Sequence, residues 1–372
     1  MTSRSSANQS RQGWAPDPRS QFVLSAIIRE HLVTGEPVGS RTVSGRFAGS
    51  AGWSAATIRN IMADLEEAGL VEQPHTSAGR VPTDKGYRFY VDHVLGEMRL
   101  SRADRAAIDE ALGIGSGKGF DAPDRLMARI SHLLSEVSDN VGIVISPSLA
   151  DTRLQHIEFV RLADNRILVI LVSALNTIQN KVIRVDENFT QEELERTARY
   201  LNAEFSGKSL ATIRAEILRL MQAEKALYDT LLRNAIMLCE RSLEGEEAAE
   251  DDVYVDGASN ILSKPDFTDN VELLRDLFRT LEEKSRLVKI LNECIKRDRA
   301  TGPVQVVIGR EHAAPSMQNC ATITASYRVG DCATGTLSVV GPMRIEYARM
   351  MAVVSYVARH IERMLQEEAV PV

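Results

Sequence analysis

Residues 54–86 read SAATIRNIMADLEEAGLVEQPHTSAGRVPTDKG. Ser54 is a helix N-cap residue, and the apolar spacing that follows predicts a helix running to Ala68 and stopping at Gly69. At 100° per residue, Ile58, Ile61, Met62 and Leu65 share one face and point to a core. The opposite face carries Ala56, Asn60, Ala63 and Glu67, with Arg59 and Thr57 at its edges. Small Ala56 and Ala63 let the helix approach the floor of a DNA groove. Asn60 has the amide to pair bidentately with adenine, Arg59 the fork for guanine, and Ser54 and Thr57 hydroxyls for phosphates or base edges. The free amides of the helix start favour phosphate, and the acids Asp64, Glu66 and Glu67 fall in later turns. Taken alone, such a polar face is more often just the solvated side of an amphipathic helix.

The flanking residues change that balance. Leu70-Val71 and Val81 predict the arms of a small hairpin around HTSAG. A hairpin after a recognition-type helix is where a wing belongs, and His75, Thr76, Ser77 and Arg80 suit phosphate contact there. Arg80 also fits a narrow minor groove. The bland alternative is a polar turn with Gly79 at positive φ. Upstream, Asp17-Pro18 predicts an N-cap and N1 proline for a helix to about Thr34, with Phe22, Leu24, Ile27, Ile28 and Leu32 apolar and Gly35 as the stop. Ser40 is expected to cap a short second helix over about 41–47, whose Arg41 and Thr42 complete the candidate DNA-contacting set. Thr83 is expected to cap a fourth helix through Tyr90 and Leu95. Three helices, a hairpin and a closing helix over residues 18–97 make the winged helix-turn-helix plan. Residues 1–17 read as a polar, disordered lead-in.

Composition limits the alternatives. A chain of 372 residues suits two or three domains at roughly 150 residues each. Its 44% hydrophobic and 26% charged content is globular. No apolar run approaches the roughly 20 residues of a membrane span, and the N-terminus has no apolar h-region; a cytoplasmic protein is expected. Cys239, Cys294, Cys320 and Cys332 form no CxxC pair, which speaks against a zinc site or disulfide. The net charge is −7, of which residues 1–100 contribute +1 from 11 Lys/Arg and 10 Asp/Glu. Non-specific DNA affinity should therefore be modest. GIGSGKGF (113–120) lacks the spacing of a phosphate loop and reads as part of a linker over 98–122. Neither G-x-S-x-G nor H-E-x-x-H occurs, and the seven histidines are scattered, so no enzyme, cofactor or metal is expected.

Beyond the linker, residues 124–138 read as a helix and VGIVISP (141–147) as a buried strand. LQHIEFVRL, RILVILVS and NKVIRV are strand-like. Three amphipathic helices then span about 190–245 and end in the acidic tract EGEEAAEDD. VYVDGASNIL returns to strand, a long helix covers 270–297, three strands follow, and a last helix runs from Arg344 to about Leu365. Strands that bracket a mostly helical block point to an α+β fold with one domain inserted in another. The apolar stripes of 190–245 serve equally as dimer contact or internal core.

Three stretches carry a family resemblance: GEPVGSRTVS (35–44), ATIRNIMADLEEAGLVEQPHTSAGRVPTDKGYRFYVD (56–92) and GPMRIEYARM (341–350). They closely resemble the HrcA-type heat-inducible transcription repressors of bacteria. The resemblance implies a winged helix followed by a GAF-like domain, here 123–165 and 262–372, interrupted by a dimerisation domain, here 166–261. It implies a homodimer that binds double-stranded DNA at an inverted-repeat operator upstream of chaperone operons, with activity that depends on a chaperonin. The recognition helix then falls on Ser54 to Ala68 and the wing on His75 to Arg80. The connector GRFAGSAGW (45–53), with Trp53, departs from the family pattern and leaves the second helix's placement open. The alternative is a winged-helix repressor of another regulon, gated by a metabolite in the GAF-like domain.

Overall fold

The computed structural model describes residues 16–47, 52–75, 78–96, 100–113, 123–147, 153–173, 178–185, 187–209, 212–213, 215–216, 234–235, 237–238, 253–268, 271–297, 303–329 and 333–368. The early lead-in, residues 114–120 of the glycine-rich stretch, most of 210–245, the acidic tract, Thr76, Ser77, Cys239 and Cys332 lie outside them. The fold is α+β.

Helix α1 (Pro18–Thr34) starts where local chemistry dictates: the Asp17 carboxylate accepts from Ser20 N, Pro18 fills the first turn, and Gly35 closes at φ 73°. Helix α2 (Ser40–Arg46) begins one residue early, with Gly39 rather than Ser40 at the N-cap and no side-chain cap bond. Helix α3 (Ala55–Glu67) is capped by Ser54. Strands β1 (Val71–Glu72) and β2 (Val81–Pro82) pair antiparallel. Thr83 caps α4 (Asp84–Phe89), which passes into a π-helical turn over Tyr90–Val94. The expected linker is not all linker. Residues 102–112 form α5 (Arg102–Leu112), because Ser101 caps it and Ile108 and Leu112 have a core to enter.

After α6 (Pro123–Ser138) comes β3 (Val141–Ile145), buried throughout. The next strands, β4 (Leu154–Arg161), β5 (Arg166–Ser173) and β6 (Ile178–Arg184), make their own three-stranded antiparallel sheet with α7 (Gln191–Phe205) against it. Strand β7 (Val253–Asp256) then pairs with β3. The insertion therefore lies between β3 and β7, not at 166–261. Strand β4 belongs to it because its partner is β5, and β7 does not. Its described part holds the three strands β4–β6, α7 and further helical residues at 212–213, 215–216, 234–235 and 237–238.

Helices α8 (Ala258–Leu262), α9 (Pro265–Thr268), α10 (Val271–Glu282) and α11 (Lys284–Arg297) follow. The single helix expected over 270–297 breaks at Glu283, so that Leu277 and Leu281 on one side, and Leu287 and Leu291 on the other, all reach one core. Strands β8 (Val304–Ile308), β9 (Cys320–Val329) and β10 (Ala333–Pro342) complete an antiparallel sheet of order β7-β3-β10-β9-β8. Helix α12 (Tyr347–Glu368) closes the fold.

Three cores result. One side of the five-stranded sheet packs α8–α11. Its other side packs α6 and α12 and runs without a break into α1–α4 through Tyr87, Tyr90 and Tyr347. The insert keeps a core of its own, from Leu154, Phe159 and Val169 to Leu194, Leu201 and Phe205.

Candidate nucleic-acid interface

Helix α3 lies against α1 and α2 through Ile58, Met62 and Leu65, which are 0%, 4% and 0% exposed. Ile61 packs at the edge of the same core. The helical period then forces Ala56, Thr57, Arg59, Asn60, Ala63 and Glu67 outward, and all are exposed. Ser54 Oγ accepts from Thr57 N at 3.1 Å and lies 3.0 Å from Thr57 Oγ1, so the cap residue is exposed but already engaged. No acid stands in the first turn. Its unpaired amides and partial positive charge are thus left open to an anion.

The connector before α3 acts as a brace. Ser44 Oγ donates to Trp53 O at 3.0 Å. The Trp53 ring meets Phe22 of α1 edge-on, 5.4 Å between centroids at 85°, and the Arg19 guanidinium sits 5.9 Å from its centre. Arg46 bonds both oxygens of the nearly buried Glu30 at 2.6 and 2.7 Å, tying α2 to α1. On α2, Val43 is buried, Arg41 exposed and Thr42 half-buried. Arg41 faces solvent, while Thr42 is only partly available.

The hairpin has a third neighbour that the sequence did not announce. Val38 and Arg80 exchange two backbone bonds of 2.9 Å each, adding the segment before α2 to the sheet. This explains Gly79. Its φ is not positive, contrary to the turn reading; instead a Cβ there would lie 2.4 Å from the Val38 carbonyl carbon. At the tip, Ala78 N bonds His75 O at 2.8 Å, Gln73 Nε2 bonds Ala78 O at 3.0 Å, and His75 is exposed.

Arg80 departs from expectation. Its Nη2 lies 2.7 Å from Glu66 Oε2 and its side chain is only 18% exposed. It does not reach out beside the helix; it ties the hairpin to Glu66 in the last turns of α3. Residues from α2, α3 and the hairpin thus share one unit, with Arg41, Ala56, Thr57, Arg59, Asn60 and His75 on its surface. Arg80 and Glu66 hold it together. Their pairing was invisible in the sequence because its only signal is the fold of the hairpin onto the helix.

Comparison with known proteins gives the class first: the curated relatives are transcription repressors, a regulatory rather than a catalytic role. Residues 124–351 match the family model described as the HrcA protein C-terminal domain. The chain is 43% identical to the heat-inducible transcription repressor HrcA of Geobacter sulfurreducens, over 94% of this chain and 98% of that protein. It is 36% identical to the repressor of the same name from Syntrophobacter fumaroxidans, over 94% and 97%. A crystal structure titled as a hypothetical protein shares the fold, with a TM-score of 0.57 and 22% identity over 95% of this chain and 100% of that one. The chain belongs to the HrcA family of heat-inducible transcription repressors. Among the described residues no helix is long and apolar enough to cross a membrane, and no cluster of His, Cys, Asp and Glu suits a metal.

Proposed function

We propose that this chain represses heat-shock (chaperone) operons in the cytoplasm by binding an inverted-repeat operator as a homodimer. The unit α1–α4 with its hairpin acts as a winged helix-turn-helix, and the five-stranded-sheet domain as its GAF-like partner. The observation that carries this reading is the start of α3: Arg59 and Asn60 exposed on a buttressed, acid-free helix end, in a chain of repressor lineage. Arg59 and Asn60 read base edges, Arg41, Ser54, Thr57, His75, Thr76 and Ser77 hold phosphates, and Arg80 holds the wing in place.

A single unit of this size contacts too few base pairs for the roughly 10⁻⁸ M affinity expected of a specific repressor, so two copies are required. The insert supplies the contact. On the sheet face turned away from α7, Val160, Leu168 and Val182 stand side by side across three strands, and Val182 is 53% exposed. Ile170 and Val172 extend the row. Such an apolar row suits a second copy of itself. Dependence on a chaperonin follows from a discontinuous, multidomain chain that folds through intermediates.

Footprinting of the purified protein on the chaperone promoters of its own genome tests this reading. Protection of both halves of an inverted repeat is expected. Absence of any protected repeat, with folded dimeric protein, would contradict it.

A further inference from the structure

The three stretches that carry the family resemblance meet in space: Val38 pairs with Arg80, Arg344 covers Gly35, and Tyr87 packs on Tyr347. Arg344, from GPMRIEYARM, lays its guanidinium over Gly35, from GEPVGSRTVS. The Arg344 Cζ would lie 3.2 Å from a Cβ at Gly35, whose φ of +73° already restricts it to glycine. Arg344 Nη1 donates to Leu32 O at 3.2 Å, a free carbonyl in the last turn of α1. Its Nε and Nη2 are held by the Asp266 carboxylate at 3.3 and 3.0 Å. One arginine of the sheet domain thus caps the first helix of the N-terminal unit.

A second fastening lies on α4. Arg88 Nε donates to Glu311 Oε1 at 2.7 Å, and its Nη2 bonds Glu311 Oε2 and the Val306 carbonyl of β8. Glu311 is itself fixed, since its Oε2 accepts from Ile308 N at 2.9 Å. Next to it, Asp84 Oδ2 accepts from Arg310 N at 2.9 Å, and the carboxylate fills the space that a side chain at Gly309 would take. Between the two fastenings, buried Tyr87 packs on buried Tyr347, 5.7 Å apart. Forked, charge-assisted bonds on both flanks of an apolar contact leave little rotational freedom.

We propose that Arg88 and Arg344 are positioning residues that fix the angle of the DNA-binding unit on the sheet domain and so set the spacing of operator half-sites that the dimer accepts. The proposal rests on the operator reading above. In a dimer held through its inserts, the separation and phase of the two α3 helices follow from every joint between them. Each base pair added between half-sites turns one by about 35° and moves it about 3.4 Å, so a stiff joint makes spacing stringent. Neither arginine is on the α3 face, so base preference should not depend on them.

The test uses full-length protein and duplexes carrying the footprinted operator, with its spacer lengthened or shortened by one or two base pairs. The wild type should lose about tenfold or more in affinity on altered spacers, and the R88M/R344M variant no more than about threefold, at nearly equal affinity for the native spacer. Glu311→Gln keeps an acceptor for Ile308 N while removing the charge, and should give intermediate tolerance should the double variant fail to fold. A spin-label pair placed on exposed Ala63 and Asn319 through non-natural amino acids reads the joint without DNA. A narrow distance distribution in the wild type that broadens in the variants supports the proposal. An equally narrow distribution with unchanged spacing dependence overturns it. A wild type that binds no duplex counts against the operator reading instead, and the label distances still decide the joint.

Discussion

The sheet domain carries two appended units, and they are attached in opposite ways. The N-terminal unit shares a hydrophobic core with it through Tyr87, Tyr90 and Tyr347 and is fastened by Arg88 and Arg344. The insert leaves the sheet domain after β3, closes a core of its own around Phe159 and Leu201, and returns at β7. One unit is merged with its support while the other is tethered to it. A shared core couples stability and orientation, whereas a separate core lets a unit open alone.

The largest test of that contrast is a pair of truncations of similar size. Tyr87→Ala and Phe159→Ala each remove a nearly fully buried ring and should each cost about 3–5 kcal/mol. Hydrogen exchange resolved by segment should show Y87A loosening α1–α4 and α12 together, and F159A loosening only β4–β6 and α7. Joint loosening of all segments by F159A would erase the distinction.

A smaller effect separates bracing from DNA contact within the N-terminal unit. Breaking the partly exposed Arg80–Glu66 pair should cost no more than about 1 kcal/mol of stability. If Arg80 acts only as a brace, Glu66→Gln should weaken operator binding as much as Arg80→Ala, and neither should change the salt slope by about one, the mark of a lost phosphate contact. A unit drop in slope for R80A alone would return Arg80 to the DNA.

The smallest effect lies at α5, the helix that links the two bodies. Hydrogen bonds from Arg349 hold the Asp104 carboxyl below its ordinary range, with the Ser101 bond adding to this. A carboxylate lowered in the folded state stabilises above its unfolded pKa, and the contribution fades as pH falls through the folded one. Urea unfolding of Asp104→Asn should therefore show a deficit at pH 7 that narrows in strong acid. An equal deficit at every pH would mean that the pairing with Arg349 is not its source.

What could be read in the sequence was local. Asp17, Ser54 and Thr83 cap helices where they stand, and the buried face of α3 follows from its own period. What could not be read was set by pairing at a distance. Alternation marks β4 as a strand but does not say that β5 rather than β3 is its neighbour, so the insert's boundary was misplaced. No glycine or proline marks the break at Glu283. Gly79 looked like a turn residue because its reason, the Val38 backbone, lies across the sheet. Arg80 looked free because Glu66 is hidden from it until the hairpin folds back, and Arg88 lies more than two hundred residues from Glu311.

What the exposed start of α3 does to DNA is measured by selection from a pool of operators randomised at each half-site position. Asn60→Ala and Arg59→Ala should each cost about 1–3 kcal/mol and lose base preference at one position, mirrored in the two halves. Preferences unchanged at every position, with folded protein that still binds, would show that these side chains do not read the bases.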